Sequence, residues 1–202
     1  VHSERKPAHL QHTPFTNHGL QLWVALPQAL QEAPPAFAHT PAKDIPEVSL
    51  GEGADPACVR VLVGEAFGVR SPVVPASPTV YLDIRLPAGR ALALPALAPQ
   101  LAVYPVEGEV RLDGESWPVG RMAVLGAGEG VRLEAGTHAR LAVVGGEPLD
   151  GPRHMWWNFV HSDPDRIRQA AQDWEAGGFE RVPGETESIP LPERRFVPPQ
   201  PL

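Results

Sequence analysis

The sequence predicts an all-β fold, built as a barrel or a sandwich, with one α-helix near its end. Residues 57–146 are a succession of short β-type runs separated by turn signals, which is typical of sandwiches and barrels. The chain holds 25 Pro and 19 Gly among its 202 residues, and so many turn residues favour short strands over long helices. With 43% apolar and 20% charged residues, it has the composition of a chain that buries a core.

The strands are expected in the runs rich in Val, Leu, Ile and Tyr. Such residues suit a half-buried pleated surface, and Gly, Pro and Asp mark the turns between them. Turn signals stand at residues 87–89, 113–114 and 134–136. The predicted strands are residues 59–63, 79–84, 101–106, 109–112, 122–125, 131–133 and 140–144.

A single helix is predicted at residues 163–176. Ser162 is the expected N-cap, Pro164 lies in the first turn, and Asp165 stands where a capping-box acid belongs. Apolar residues then recur at helical spacing, and two glycines end the helix. These residues are Ile167, Ala170, Ala171 and Trp174, followed by Gly177-Gly178.

Residues 1–31 carry two strand signals but no sheet of their own. Residues 1–4 have the pattern of a strand end, and residues 19–26 alternate apolar and polar positions until Pro27. Two strands without partners are not stable alone, so they are expected to pair with upstream residues or with another part of the chain. Residues 32–56, rich in Pro, Ala, Glu and Asp, are expected to be a linker with one short helical turn.

Charge and cysteine content exclude several classes of function. A net charge of −7 and a pI near 5.6 argue against direct nucleic-acid binding, which needs basic patches. No apolar run has the length of a membrane span, so no membrane partner is expected. The single cysteine, Cys58, forms no internal disulfide and is expected to be a structural thiol in a reducing, cytoplasmic setting.

Several segments, in this order across nearly the whole chain, resemble the pirin family. Those in the first half are His2-Ser3-Glu4, Gly19-Leu20-Gln21-Leu22-Trp23-Val24 with Leu26-Pro27, and Val63-Gly64-Glu65-Ala66-Phe67-Gly68. The later segments resemble the bacterial members closely, and they are Gly145-Gly146-Glu147-Pro148-Leu149, Trp157-Asn158-Phe159-Val160, Asp173-Trp174 and residues 179–184. A composition rich in Ala, Pro, Gly and Arg also suggests a GC-rich bacterium.

The resemblance implies a tandem bicupin, with two cupin (RmlC-like jelly-roll) barrels, whose first barrel is truncated here. Residues 1–31 would be the last strands of an N-terminal metal-binding cupin, and 32–56 the linker. Residues 57–149 would be a C-terminal cupin barrel without metal, and residues 150–202 a tail that carries the helix.

In proteins of this family, one divalent metal, usually iron, is held in the N-terminal barrel by three histidines and a glutamate. Only the later of the two ligand motifs is present here, as His2 and Glu4; both are expected metal ligands, and Glu4 is also the expected catalytic base. Because they are two positions apart, the side chains of His2 and Glu4 would lie on the same side of a strand. In this chain by itself, the alternative is two polar residues at a frayed terminus, since catalytic metal sites usually draw three ligands from the protein.

The second barrel is expected to hold no metal. The positions that correspond to the cupin ligands are non-ligating there, and their side chains are expected to fill the barrel as an apolar core. These positions are Pro95, Leu97, Leu101 and Val131. The remaining N-terminal histidines, His9, His12 and His18, lie in a polar segment and are expected to be solvated loop residues.

Three functional hypotheses follow from the resemblance. The intact protein would be a metal-dependent dioxygenase of the quercetin 2,3-dioxygenase type, acting on a small aromatic or flavonol-like substrate, and the present chain would be inactive alone. The alternative is a non-enzymatic, protein-interacting or regulatory bicupin with a protein partner that the sequence does not name. A third possibility is a fragment without activity of its own.

Overall fold

The computed structural model of the chain describes residues 1–194, 196 and 197. Its described residues form two compact units: Phe37–Pro148 is one, and Val1–Ala36 together with the chain from Leu149 onward is the other. We call them the barrel unit and the tail unit. The strands are β1 (Glu47–Leu50), β2 (Ala57–Val63), β3 (Glu65–Ala66), β4 (Val69–Arg70), β5 (Thr79–Leu86), β6 (Ala91–Leu94), β7 (Gln100–Glu107), β8 (Val110–Leu112), β9 (Glu115–Trp117), β10 (Ala123–Val124), β11 (Val131–Ala135), β12 (Ala139–Gly146), β13 (His154–Trp156) and β14 (Phe159–His161).

The barrel unit is built from two antiparallel sheets. The larger sheet has the order β1-β2-β5-β12-β7-β10, and the smaller has the order β6-β11-β8-β9. Neighbouring strands that are distant in sequence, such as β5 beside β12, give the crossed connectivity of a jelly roll. The mostly-β fold with one C-terminal helix is therefore confirmed.

The core lies between these two sheets. Along β5, every second residue is buried, because alternate side chains of a strand point to opposite faces. The fully buried side chains of the cluster come from both sheets, and each large aliphatic group contributes about 1.5–3 kcal/mol on burial. They include Val61, Leu82, Ile84, Val103, Leu133, Leu141 and Val143.

Two glycine-containing turns join strands of the barrel unit. In the β8–β9 turn, Asp113 and Gly114 have φ of 48° and 84°, the left-handed values that a two-residue hairpin requires. Gly108, with φ of 85°, follows β7. A Cβ on Gly108 would lie 2.3 Å from the carbonyl oxygen of His138, so this turn also needs glycine for close approach of two backbones.

The segment expected as a linker contains one strand. Within residues 32–56, a short 3₁₀ turn occupies Ala42–Asp44, as the expected helical turn, but β1 follows and pairs with β2 along its whole length. Along β1, exposed and partly buried residues alternate, beginning with the exposed Glu47 and the partly buried Val48. Because β1 is short and lies between prolines and glycines, the sequence gives no clear strand signal for it.

The tail unit has little β structure in its first part. Residues 1–31, all of them described, contain the 3₁₀ turns Ala8–Leu10 and Gln28–Leu30 and no strand. The expectation of strands at residues 1–4 and 19–26 is therefore wrong for this chain. An alternating pattern is compatible with a strand, but a strand also needs a hydrogen-bonding partner, and none of the described residues provides one here.

The helix α1 spans Pro164–Glu175, close to the predicted bounds. Its N-cap is Asp163, not Ser162, because the Asp163 carboxylate accepts a hydrogen bond from the Asp165 backbone N–H at 2.8 Å. Ser162 instead exchanges hydrogen bonds with the Gln31 side chain. Ile167 is the buried residue of the helix, which packs against the β13–β14 hairpin.

Aromatic rings hold the helix and hairpin of the tail unit together. Trp157 lies edge-on to Trp174 and to Phe159, with ring centroids 5.3 Å apart in both pairs. Phe179 stacks on Phe159 at 5.9 Å and meets Trp174 edge-on, and such pairs add to the energy of burial.

Candidate functional site

The two expected metal ligands lie near the start of the chain, in an exposed and irregular stretch. His2 and Glu4 are both exposed to solvent. Between and after them, Ser3 Oγ donates to Glu185 at 2.9 Å, and Arg5 Nε donates to the other oxygen of the same carboxylate at 2.6 Å. Ser3 and Arg5 therefore share one carboxylate as their acceptor, and His2 and Glu4 are their neighbours in sequence.

Glu185 is the anchor of this stretch. The hydrogen bond from Arg5 lowers the pKa of the Glu185 carboxyl, and the hydrogen bond from Ser3 lowers it further. Arg5 also contacts Glu187 at 3.2 Å, and its partners raise the pKa of the guanidinium. These contacts fix the backbone that carries the two candidate ligands, without occupying either of them.

The donors that this chain supplies do not complete a metal centre. Within the part of the chain that the structure describes, no three His, Cys, Asp or Glu side chains are grouped so that they could hold an ion. An imidazole and a carboxylate are suitable ligands for a first-row transition metal, but a catalytic site normally needs a third protein ligand.

The other N-terminal histidines lie away from any such grouping. His9 is in the first 3₁₀ turn, and His12 and His18 lie in the irregular stretch after it. All three are exposed, as expected for loop residues.

Most of the second-barrel positions that correspond to cupin ligands are occupied by core residues. Leu101 and Val131 are 2% and 6% exposed and belong to the core cluster, and Leu97 packs against it partly buried. Pro95 differs from the expectation: it is exposed, because the chain leaves the sheet after Leu94, the last residue of β6.

A polar network in the tail unit gave no signal in the sequence. Glu32 binds Arg166 through two parallel hydrogen bonds of 2.7 and 3.0 Å, and this contact lowers the pKa of the Glu32 carboxyl. His161 Nδ1 accepts the Asp163 backbone N–H at 2.9 Å, while its Nε2 lies 3.2 Å from Glu32. The partners are more than a hundred residues apart in sequence, so no local pattern could reveal them.

Cys58 is a half-buried, free thiol on β2. Burial raises its pKa to about 11, and a hydrogen bond to Glu47 contributes in the same direction. A thiol that remains neutral near pH 7 is a poor nucleophile, which agrees with its expected structural role.

None of the helices in the described residues combines the length and the apolar character needed to cross a bilayer.

Comparison with known proteins places the chain in a family. The model of the Pirin C-terminal cupin domain matches residues 81–180. A pirin-like protein of Caulobacter vibrioides is 40% identical over 197 residues, covering 96% of this chain and 66% of that protein. A pirin-like protein of Solanum lycopersicum is 34% identical over 189 residues, covering 90% of this chain and 62% of that protein.

A solved structure is similar over most of the chain and, together with the family model, confirms the expected cupin fold. The crystal structure of a quercetin 2,3-dioxygenase from Acinetobacter baumannii superposes with a TM-score of 0.74 at 29% identity, over 88% of this chain and 58% of that one. The chain therefore spans about 60% of the length of the relatives it matches. From its jelly-roll barrel unit, its helical tail and these similarities, we conclude that the chain belongs to the pirin family.

Proposed function

We propose that the intact protein is a metal-dependent dioxygenase of the quercetin 2,3-dioxygenase type, and that the 202-residue chain is inactive alone. The observation that carries this proposal is the similarity, over 88% of the chain, to a structure of a quercetin 2,3-dioxygenase. A flavonol-like substrate and a first-row divalent metal, iron in the first instance, belong to the same proposal.

In this proposal His2 and Glu4 supply two of the metal ligands, and Glu4 also acts as a base. Two features of the tail unit support this role. The neighbours Ser3 and Arg5 attach this stretch to Glu185, and both His2 and Glu4 are exposed, so further ligands could approach them. The remaining ligands would come from a preceding barrel in a longer polypeptide.

Exposed apolar side chains near the start of the chain also support a covering element. Trp23 and Val24 are 51% and 60% exposed. Single exposed apolar side chains, scattered over the surface, are normal in soluble proteins. Here they are clustered in sequence and include Phe15, Leu20, Leu22, Trp23, Val24, Leu26 and Leu30. In the proposed intact protein, strands of the first barrel pair with this segment and bury it.

The first experiment is a measurement of mass and metal content on the protein purified from its native source. A mass well above 21.8 kDa with about one metal per chain supports the proposed site. A mass near 21.8 kDa without metal contradicts it, and then a non-enzymatic binding protein becomes the better proposal.

The second experiment measures oxygen-dependent loss of quercetin by the 202-residue chain and by the longer protein. We expect no turnover by the shorter chain, even after incubation with iron, because only two ligands are present. In the longer protein, His2→Ala and Glu4→Ala should remove both metal and activity, whereas His12→Ala, at an exposed histidine of the same segment, should leave both unchanged. Turnover by the short chain with stoichiometric metal would refute the proposal.

A further inference from the structure

A cleft with a volume of about 400 Å³ lies at the ends of β2, β5, β7 and β12 in the larger sheet of the barrel unit. Cys58, Arg85 and Arg140, which line it, are paired across three adjacent strands and lie on one face of the sheet. Their neighbours along each strand point into the core; Ala57, Ile84 and Leu141 are among these buried residues. A row of outward side chains at one end of β2, β5 and β12 therefore forms part of the cleft, and the core residues Leu86 and Ala139 and the adjoining loops complete it.

The row places two arginines directly opposite each other. Like charges in this arrangement destabilise a sheet unless counter-charges compensate them. Arg140 has its counter-charge: its Nε and Nη2 donate to the two oxygens of Asp83 at 2.7 and 3.0 Å, which raises the pKa of Arg140. Arg85 has no such contact, because no hydrogen bond or ion pair to a carboxylate is found for it among the described residues.

The Arg85 guanidinium therefore presents hydrogen-bond donors to the cleft that the protein itself leaves unused. A guanidinium is matched in shape to a carboxylate or a phosphate, which it binds through two parallel hydrogen bonds. Of the neighbouring groups, Cys58 is a neutral thiol near pH 7, since its pKa is about 11. The neutral Cys58 thiol therefore does not compete with an anion for the positive charge of Arg85.

Other residues of the cleft restrict the kind of anion. Asp55 also lines it, and this carboxylate repels a dianion such as phosphate more strongly than a singly charged group. Pro56 and Pro87 add apolar surface. A single negative charge with an apolar body satisfies both conditions.

We propose that this cleft, which we call the Arg85 cleft, binds a small organic monocarboxylate. The carboxylate accepts the paired hydrogen bonds of Arg85, and the apolar body lies against Pro56 and Pro87. The proposal does not depend on the metal ligands or on the proposed dioxygenase activity.

The single cysteine of the chain allows a direct test, because Cys58 lines the Arg85 cleft. The rate of alkylation of Cys58 by iodoacetamide is measured at alkaline pH, against increasing benzoate at constant ionic strength. We expect saturable protection of the thiol, and a matching binding isotherm by titration calorimetry. Benzamide, the neutral analogue, should protect at least about tenfold more weakly, since a charge-assisted hydrogen bond is lost. Inorganic phosphate should also protect at least about tenfold more weakly, since the carboxylate in the cleft repels it.

Variants identify the group that binds. Arg85→Gln should raise the benzoate concentration for half-protection about tenfold or more, and Arg85→Lys should give an intermediate value because it keeps the charge but not the paired donors. Arg111→Gln removes an exposed arginine on β8 and should behave as the unaltered protein. Thermal unfolding verifies that each variant is folded.

Three results would overturn the proposal. They are the absence of saturable benzoate binding to the folded protein, equal protection by benzamide or phosphate, and unchanged benzoate binding in both Arg85 variants.

Discussion

At the scale of single residues, Cys58 shows how the surroundings of a side chain set its chemistry. The thiol is half-buried on β2, and burial is the main reason that its pKa is about 11. It is the one cysteine of the chain, so any thiol chemistry measured on this protein reports this site alone.

The alkylation rate of Cys58 should continue to rise with pH beyond the point at which a free thiol reaches its plateau. A free cysteine has a pKa of about 8.5, whereas Cys58 titrates near 11. Because the folded pKa is raised, the stabilisation that the neutral thiol provides is complete below the unfolded pKa and is lost as the pH rises through the folded value. Iodoacetamide kinetics from neutral to strongly alkaline pH measure this, with N-acetylcysteine as the control. A plateau coinciding with that of N-acetylcysteine would contradict the assignment.

Two glycines with similar backbone angles are expected to differ in their tolerance of a side chain. Gly108 and Gly114 have φ of 85° and 84°, so alanine costs about 1–2 kcal/mol of backbone strain at either position. At Gly108 the added Cβ also meets a carbonyl oxygen at 2.3 Å, whereas at Gly114 nothing lies within 4 Å. Gly108→Ala should therefore lower the free energy of unfolding by at least about 1 kcal/mol more than Gly114→Ala. Urea unfolding of both variants measures the difference, and equal losses would show that the turn at Gly108 can move.

At the scale of elements, the start of α1 depends on one carboxylate. Asp163 accepts the Asp165 N–H at 2.8 Å, and the helix is bound to the rest of the tail unit through Ile167 and the aromatic rings. The cap and the packing together define where the helix begins.

Removing this cap should destabilise the tail unit without changing its fold. Asp163→Ala is expected to cost about 1 kcal/mol, the usual loss for an N-cap. Asp163→Asn should be nearly neutral, because asparagine caps equally well. Thermal unfolding followed by circular dichroism compares the two variants. If Ser162 were the cap, Asp163→Ala would have no more effect than Asp163→Asn.

The strands and the helix differ in how far the sequence could predict them. Seven of the twelve strands of the barrel unit are predicted, because they carry apolar patterns that a buried core favours, as in β5 with Val80, Leu82 and Ile84 buried. The short strands β1, β3, β4, β6 and β9 are not predicted. The same kind of pattern at residues 19–26 produced no strand, since strand formation also depends on a partner that a local pattern cannot show. The one-residue error at the N-cap has a similar origin, because Ser162 and Asp163 are both good caps and tertiary contact with Gln31 decides between them.

The candidate site shows the same limit at longer range. His2 and Glu4 were identified only through resemblance to a family, and the structure brings no third ligand to them among the described residues. The pairing of Glu32 with Arg166, and of Arg5 with Glu185, could be identified only from the folded structure. Contacts between the two ends of a chain leave no local trace in sequence.

At the scale of the whole molecule, the tail unit is made from two distant stretches of chain that are joined by polar contacts. Arg153 Nη2 donates to the Leu26 carbonyl at 2.7 Å, and Asp150 accepts the Gln28 backbone N–H at 2.8 Å. The same arginine forms an ion pair with Asp150, and with Gln28 it lowers the pKa of the Asp150 carboxyl. Asp150 therefore remains charged, and the contact intact, at mildly acidic pH.

Loss of Arg153 should release the first stretch locally. In Arg153→Ala, amide hydrogen exchange at Gln28 should become about fivefold faster or more, because the acceptor Asp150 loses its ion pair and the Leu26 carbonyl loses its donor. Exchange in β5 and β12 should not change. The control, Arg132→Ala, removes an ion pair with Glu134 in the barrel unit and should leave Gln28 unaffected. Unchanged exchange at Gln28 in Arg153→Ala would show that these contacts do not hold the segment.

The discontinuous tail unit has a consequence for synthesis on the ribosome. The barrel unit, Phe37–Pro148, is complete before Asp150, Arg153 or Arg166 has been made. At about 5–20 residues per second, Gln28 and Glu32 therefore wait on the order of 10 s for Asp150 and Arg166, their hydrogen-bond partners. The tail unit can therefore assemble only after the barrel unit has been synthesised.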